Sequence, residues 1–155
     1  MRKFKRIALA LVLFMSIFVV TGCKERKPIT TQEFQKQMEN KGYSIYDASS
    51  QFSNYDFVKE VYIAKGDNYQ IEFFVFENDE RAKNAFEENK ENFENKKGSV
   101  TTNQVSVSTN NFDKYHLVSN NKYMTVSRIN NTMIFATVDS SLRSTVLKDI
   151  EDLGY

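Results

Sequence analysis

The sequence predicts one α+β domain behind an export signal, with an antiparallel sheet of about five to seven strands packed by two to three helices. Two features predict this class. Polar and apolar residues alternate through four segments of the last third, and Asn-Asn pairs separate these segments, as in an antiparallel meander. Apolar residues also recur at helical spacing in one segment before the meander and in another after it. The predicted order is helix, short strand, two strands, helix, up to four strands, helix.

The chain begins with the basic and apolar parts of an export signal. A basic head precedes an apolar run of fourteen residues from Ile7 to Val20, IALALVLFMSIFVV. As a helix this run would be about 21 Å long, which is shorter than the roughly 30 Å hydrocarbon core of a bilayer. The segment therefore predicts a signal peptide rather than a permanent membrane span.

The signal ends at Val20-Thr21-Gly22-Cys23, which resembles the lipobox of bacterial lipoproteins, although Val20 replaces the usual leucine. The resemblance implies cleavage between Gly22 and Cys23, a diacylglycerol on the Cys23 sulfur, and anchoring in the bilayer at the extracytoplasmic face of the bacterial cell membrane. An ordinary secretory signal and an uncleaved anchor are the alternatives. Cys23 is the only cysteine, whereas exported proteins normally use cysteines in pairs, and this favours lipidation.

Removal of residues 1–22 changes the charge of the chain. The signal holds four of the twenty-one Lys and Arg residues, so seventeen remain against twenty Asp and Glu, a net charge of −3. Nucleic-acid binding is not expected, because its affinity depends largely on neutralised phosphates. We predict that residues 23–29 form the lipidated cysteine and a short charged tether in solvent, with contact of its basic residues with anionic head groups as the alternative. Residues 30–155 are predicted to form a single domain.

The first helix of the domain is predicted from a capping box. Thr30 precedes Glu33 by three residues, and Gly42 follows the helical segment. The apolar stripe consists only of Phe34 and Met38, so we expect this helix at the periphery of the core.

Residues 43–57, YSIYDASSQFSNYDF, combine five aromatic residues with polar ones and follow no regular period. One interpretation is a short strand at Tyr43 to Tyr46 and then a loop whose aromatic residues plug one end of the core. The other is a binding rim, because aromatic residues with polar neighbours are favoured at interfaces. The candidate rim residues are Tyr46, Phe52, Tyr55 and Phe57.

A hairpin follows, with strands at Val58 to Ala64 and Tyr69 to Glu77. The second strand has apolar residues on both faces, which predicts a central strand covered on both sides. A helix is predicted from Glu80 to Lys97, closed by Gly98, with a stripe of Ala82, Ala85, Phe86, Asn89 and Phe93. Its glutamates, which alternate with Asn and Lys, predict a solvated face rather than a metal site. They are Glu87, Glu88, Glu91 and Glu94.

The meander is predicted at Val100 to Val107, Phe112 to Val118, Tyr123 to Ile129 and Thr132 to Val138, and the first of these segments is expected at a sheet edge. A final helix should start near Asp139 to Ser141, with these residues as its cap, and end before Gly154. This order of elements is similar to that of PsbP-like domains, in which an antiparallel sheet lies between helices.

Few residues carry recognisable chemistry. The single histidine, His116, lies within a predicted strand, and zinc sites usually need several His or Cys ligands. We therefore expect His116 to be structural. Arg128 is expected at an exposed strand position, with pairing to a buried anionic group as the alternative. No Gly-rich phosphate loop or nucleophile motif is present, and no catalytic residue, metal site or cofactor is predicted.

The predicted function is that of a non-catalytic, membrane-anchored interaction module that binds another protein of the cell envelope. Binding of a small molecule or glycan, at the rim or between sheet and helix, is the alternative. An enzyme of unknown class is the third, and its activity would depend on His116.

Overall fold

The computed structural model describes residues 25–155, so the predicted signal peptide and Cys23 lie outside the described residues. Residues 25–155 form seven strands and three α-helices, which confirms the α+β class. The helices are α1 (Thr31–Asn40), α2 (Asp79–Asn95) and α3 (Arg143–Asp152). The strands are β1 (Ser44–Asp47), β2 (Val58–Lys65), β3 (Gln70–Phe76), β4 (Thr101–Ser108), β5 (Phe112–Ser119), β6 (Lys122–Ile129) and β7 (Thr132–Asp139).

All strands belong to one antiparallel sheet in the order β1-β2-β3-β7-β6-β5-β4. The predicted hairpin and the predicted meander are both present, and they join through β3 and β7, with Phe73 opposite Ile134. The asparagines between the last three strands adopt left-handed backbone angles, with φ of 50° at Asn120, 61° at Asn121 and 49° at Asn130. Strand β4 is an exposed edge strand, as expected.

One face of the sheet is covered by α1 and α3. The predicted capping box starts α1, because Thr30 N–H donates to Glu33 Oε2 at 2.7 Å and Glu33 N–H donates to Thr30 Oγ1 at 3.2 Å. Phe34 and Met38 are fully buried, and the Phe34 ring stacks on Phe73 with centroids 4.8 Å apart. The expectation that α1 is peripheral was therefore wrong, since two large side chains are enough to place it on the central strand.

The other face is covered by α2 and by the segment of residues 48–57. Phe86 and Phe93 of α2 are buried here, together with Phe74 of β3 and Tyr115 of β5. Because Phe73 and Phe74 are consecutive in an extended strand, their side chains enter the two different cores. The prediction that β3 is covered on both sides is confirmed.

Two helix boundaries differ from the predictions. Helix α2 ends at Asn95, and Gly98 instead approaches the β5–β6 turn, where its N–H donates to Ser119 Oγ at 2.9 Å and a Cβ would collide with the Asn120 side chain. Residues 139–141 do not cap α3 through their side chains; Ser140–Leu142 form a short 3₁₀ turn. The Asp139 carboxylate accepts from Lys122 Nζ at 2.7 Å, so it bridges two strands.

Candidate functional site

Three of the four predicted rim residues lie together beside a cleft. Phe52, Tyr55 and Phe57 contribute to its wall, whereas Tyr46 lies on β1 outside the cleft and is 52% exposed. The segment that carries the three residues is attached to β2, because Ala48 N–H donates to Val61 O at 2.9 Å and Val61 N–H donates to the Ser49 hydroxyl at 3.0 Å. At the other end of the segment, Glu77 N–H donates to Phe57 O at 2.9 Å, so both ends are hydrogen-bonded to neighbouring strands or their ends.

The cleft has a volume of about 340 Å³ and opens between this segment, the sheet and α2. Its lining is mainly apolar and comes from three parts of the chain. These are Phe52, Tyr55, Phe57 and Val58 from the segment and the start of β2, Glu72, Phe74, Phe76, Met133 and Phe135 from the sheet, and Ala85, Glu88 and Asn89 from α2.

The aromatic residues divide between core and surface. The Phe52 ring meets Phe74 edge to face at 5.5 Å, and the Phe57 ring meets Tyr55 at 5.8 Å. Phe52 and Phe57 are half-buried against the core beneath α2, whereas Tyr55 is 53% exposed. Phe52 and Phe57 therefore combine core packing with cleft lining, and Tyr55 is the ring most available to a binding partner.

The polar side chain at the sheet side of the cleft is Glu72 of β3. It is half-buried, lies opposite Phe135, and accepts one hydrogen bond from Gln70 Nε2 at 2.8 Å. Burial raises the pKa of its carboxyl group, and the hydrogen bond from Gln70 opposes this only in part. A carboxylate in this position is available to a positively charged partner.

A second cluster contrasts with Glu72 because its charges are compensated internally. Asp149 of α3 accepts from Tyr43 Oη at 2.5 Å and from Lys41 Nζ at 2.8 Å, and the Tyr43 hydroxyl also lies 2.6 Å from that of Tyr69. These contacts tie the residues after α1 to α3, so we assign the cluster to stability.

His116 is buried on β5 and lies apart from the cleft. Its Nε2 is 2.9 Å from Asn103 Oδ1, and a neutral ring that carries its proton on Nε2 can donate to this oxygen. The Nδ1 atom has no hydrogen-bond partner among the described residues. Burial lowers the pKa of His116 to about 4. The positive charges of Arg143 and Lys114 also lower this pKa, whereas the negative charge of Glu151 raises it.

This low pKa predicts acid destabilisation. The folded state binds the proton more weakly than the unfolded chain, so His116 should reduce the free energy of unfolding as the pH falls from about 6.5 to about 4, by up to about 3 kcal/mol. Urea unfolding at several pH values should show this slope in the wild type and a smaller slope in His116→Gln. Equal slopes in the two proteins would contradict the assignment.

The expectation of an exposed Arg128 was wrong. Its guanidinium group is buried on β6 and contacts Asp113 Oδ2 of β5 through Nε at 2.7 Å and Nη2 at 2.6 Å. The two residues are direct partners in the β5–β6 register, and Ser108 donates to the other Asp113 oxygen at 2.5 Å. The alternative expectation, pairing with a buried anionic group, is the observed one.

The glutamates of α2 do not all face solvent. Glu94 is half-buried and accepts hydrogen bonds from Gln104 at 2.9 Å and from Tyr115, whereas Glu87, Glu88 and Glu91 are exposed.

Within residues 25–155, no group of three or more His, Cys, Asp or Glu side chains is placed to hold a metal ion. No helix in this part of the chain is long and apolar enough to cross a membrane.

The predicted tether contacts the domain close to its start. The Arg26 guanidinium lies 3.7 Å from the Phe112 ring centroid and donates to Gly154 O at 2.8 Å, and Asn111 Nδ2 donates to Arg26 O at 2.7 Å. Only three residue steps separate Arg26 from Cys23, a span of at most about 10 Å.

Sequence reasoning found the aromatic part of the cleft and missed the rest of its wall. Glu72 could have indicated a polar group in the cleft, because it is the charged residue in a stretch, Ile71 to Phe76, that is otherwise apolar. Ala85 and Phe135 give no such signal, since each follows the ordinary pattern of its own helix or strand.

No protein-family model, curated protein or solved structure matches this chain. The lipobox and the similarity of element order to PsbP-like domains therefore remain predictions from the sequence.

Proposed function

We propose that this protein is a lipid-anchored, extracytoplasmic module that binds another protein of the bacterial cell envelope without catalysing a reaction. The cleft beside Phe52, Tyr55 and Phe57 is the observation that carries the proposal. It would receive one apolar side chain of the partner, and Tyr55 would cover that side chain.

The size and lining of the cleft support this function. Protein interfaces obtain most of their affinity from a few aromatic or apolar side chains buried in pockets, and a volume of about 340 Å³ has room for such a side chain. The hydrogen-bonded attachment of the segment to β2 supports it further, because a preformed pocket reduces the ordering cost of binding.

The predicted anchor also fits a protein-binding role. A lipidated Cys23 would confine the domain to the membrane surface, and the contacts of Arg26 would hold it within about 10 Å of the lipidated residue. Confinement favours partners that share the same envelope, since it raises their effective concentration.

Photocrosslinking in intact cells tests the proposal. A photoreactive benzoylphenylalanine at position 55 should give one discrete adduct with an envelope protein. Ala85→Trp places a bulky side chain in the cleft and should abolish this adduct, whereas Asn84→Trp, which adds the same side chain at an exposed position outside the lining, should retain it.

The folded state of each variant is verified by its melting temperature, and the smaller Ala85→Met replaces Ala85→Trp if the latter does not fold. An adduct that persists in a folded, filled-cleft variant would refute binding through the cleft.

Small-molecule binding is the second candidate, because the cleft volume lies at the lower end of the roughly 300–1,000 Å³ typical of ligand pockets. Ligand-induced stabilisation of the wild type, lost in Ala85→Trp, together with no protein adduct, would favour this function.

A further inference from the structure

The half-buried Glu72 carboxylate has no cationic partner among the described residues. Its one hydrogen bond comes from the neutral Gln70 amide at 2.8 Å, and no basic side chain of residues 25–155 pairs with it within 4.0 Å. Lys65 lines the adjoining cavity with Glu72 without forming an ion pair. The buried Asp113 and Asp149 both have such partners.

The aromatic side of the same cleft also favours positive charge. The faces of aromatic rings carry negative potential and attract ammonium and guanidinium groups. Phe57 already has a guanidinium group near its ring, since Arg81 lies 5.2 Å from its centroid. The exposed Tyr55 ring and the half-buried Phe52 ring are available for the same interaction.

The charged side chains that line the cleft are both acidic. Glu88 of α2 supplies a second carboxylate, and none of the described residues that line the cleft is basic. The mature chain would have a net charge of −3, which adds a weak long-range attraction for cations. An apolar cavity with carboxylates at its wall is complementary to a group that is apolar along its length and positive at its end.

We propose that the cleft binds a segment of a protein partner in which an apolar residue adjoins a lysine, with the apolar side chain among the aromatic rings and the ammonium group at Glu72. This inference rests on the proposed function and specifies the chemistry of the partner. The ammonium group would supply the counter-charge that Glu72 lacks within the described part of the chain.

Binding of two matched dipeptides to the detergent-solubilised full chain tests this chemistry. N-acetyl-Phe-Lys-amide should bind about tenfold more tightly than N-acetyl-Phe-norleucine-amide at low ionic strength, because norleucine keeps the apolar stem and lacks the charge. Glu72→Gln should remove this preference, so that the two peptides bind the variant with equal affinity. Glu91→Gln, which removes the same charge at an exposed position of α2 outside the cleft, should retain the preference.

Several results would overturn the inference. They are equal affinities for the two peptides, no binding of either, or a preference that survives Glu72→Gln. Tighter binding of phenethylammonium than of the lysine peptide would also overturn it, because a free amine rather than a protein segment would then be the occupant. A protein adduct through position 55 that depends on the open cleft would still support the proposed function in each of these cases, so the two failures are distinguishable.

Discussion

Arg128→Met should reduce the free energy of unfolding by about 3–5 kcal/mol, because it leaves the Asp113 carboxylate buried without its cation. The side chains of the two residues are only 4% and 3% exposed, so water cannot replace the lost partner. Asp113 also accepts from Ser108, and this hydrogen bond compensates only part of the charge. Urea unfolding that gives both the midpoint and the m-value measures the effect.

Two further variants separate the cost of an unpaired charge from ordinary loss of packing. Arg128→Met/Asp113→Leu should be more stable than Arg128→Met, since no charge is then left buried. Lys148→Met removes an ion pair of similar length, 2.7 Å to Asp152, at side chains that are 72% and 40% exposed, and should cost less than about 1 kcal/mol. A comparable loss in Arg128→Met and Lys148→Met would contradict the role assigned to burial.

Cys23→Ala should abolish lipidation and move the protein out of the membrane fraction. Each buried methylene group of an acyl chain contributes about 0.8 kcal/mol, and stable anchoring generally requires two chains. The chain has no second cysteine to take the lipid. Metabolic labelling with an alkyne fatty acid and membrane fractionation measure the two effects separately.

A displaced thiol provides the control for this substitution. Cys23→Ala/Lys24→Cys restores a cysteine one residue later, where it no longer directly follows Thr21-Gly22. Neither the label nor the membrane association should return. A wild-type protein without label, or an unchanged fractionation of Cys23→Ala, would refute the lipobox.

The sequence predicted those parts of the fold that depend on local patterns. The capping box between Thr30 and Glu33 is formed within four residues. The turns at Asn120, Asn121 and Asn130 follow from the tolerance of asparagine for left-handed backbone angles. The two-sided cover of β3 follows from its apolar residues on both faces.

Long-range pairing explains where sequence reasoning failed. Arg128 and Asp113 are fifteen residues apart and meet only because the register of β5 and β6 places them opposite each other. A one-residue change in that register would turn either side chain to the other face of the sheet. Sequence alternation near Arg128 therefore did not reveal that a buried carboxylate lies beside it.

The candidate site also combines features that the sequence predicts locally with features that depend on long-range packing. The aromatic residues of the segment could be proposed as a rim because five of them occur within fifteen residues. Their separation into Tyr46 outside the cleft and Tyr55 beside it depends on how the segment packs across β2.

The sequence by itself determined the α+β class and nearly all of the strands and helices, because periodicity and turn preferences act between residues close in the chain. It is also the sole basis for the predicted export and lipid anchor. Only the tertiary structure decided that Glu72, Ala85 and Phe135 share one cleft with Tyr55 and that Arg128 is buried. The cleft residues are distant along the chain and meet because a helix and a loop pack on the same face of the sheet, whereas the register of β5 and β6 places Arg128 beside Asp113.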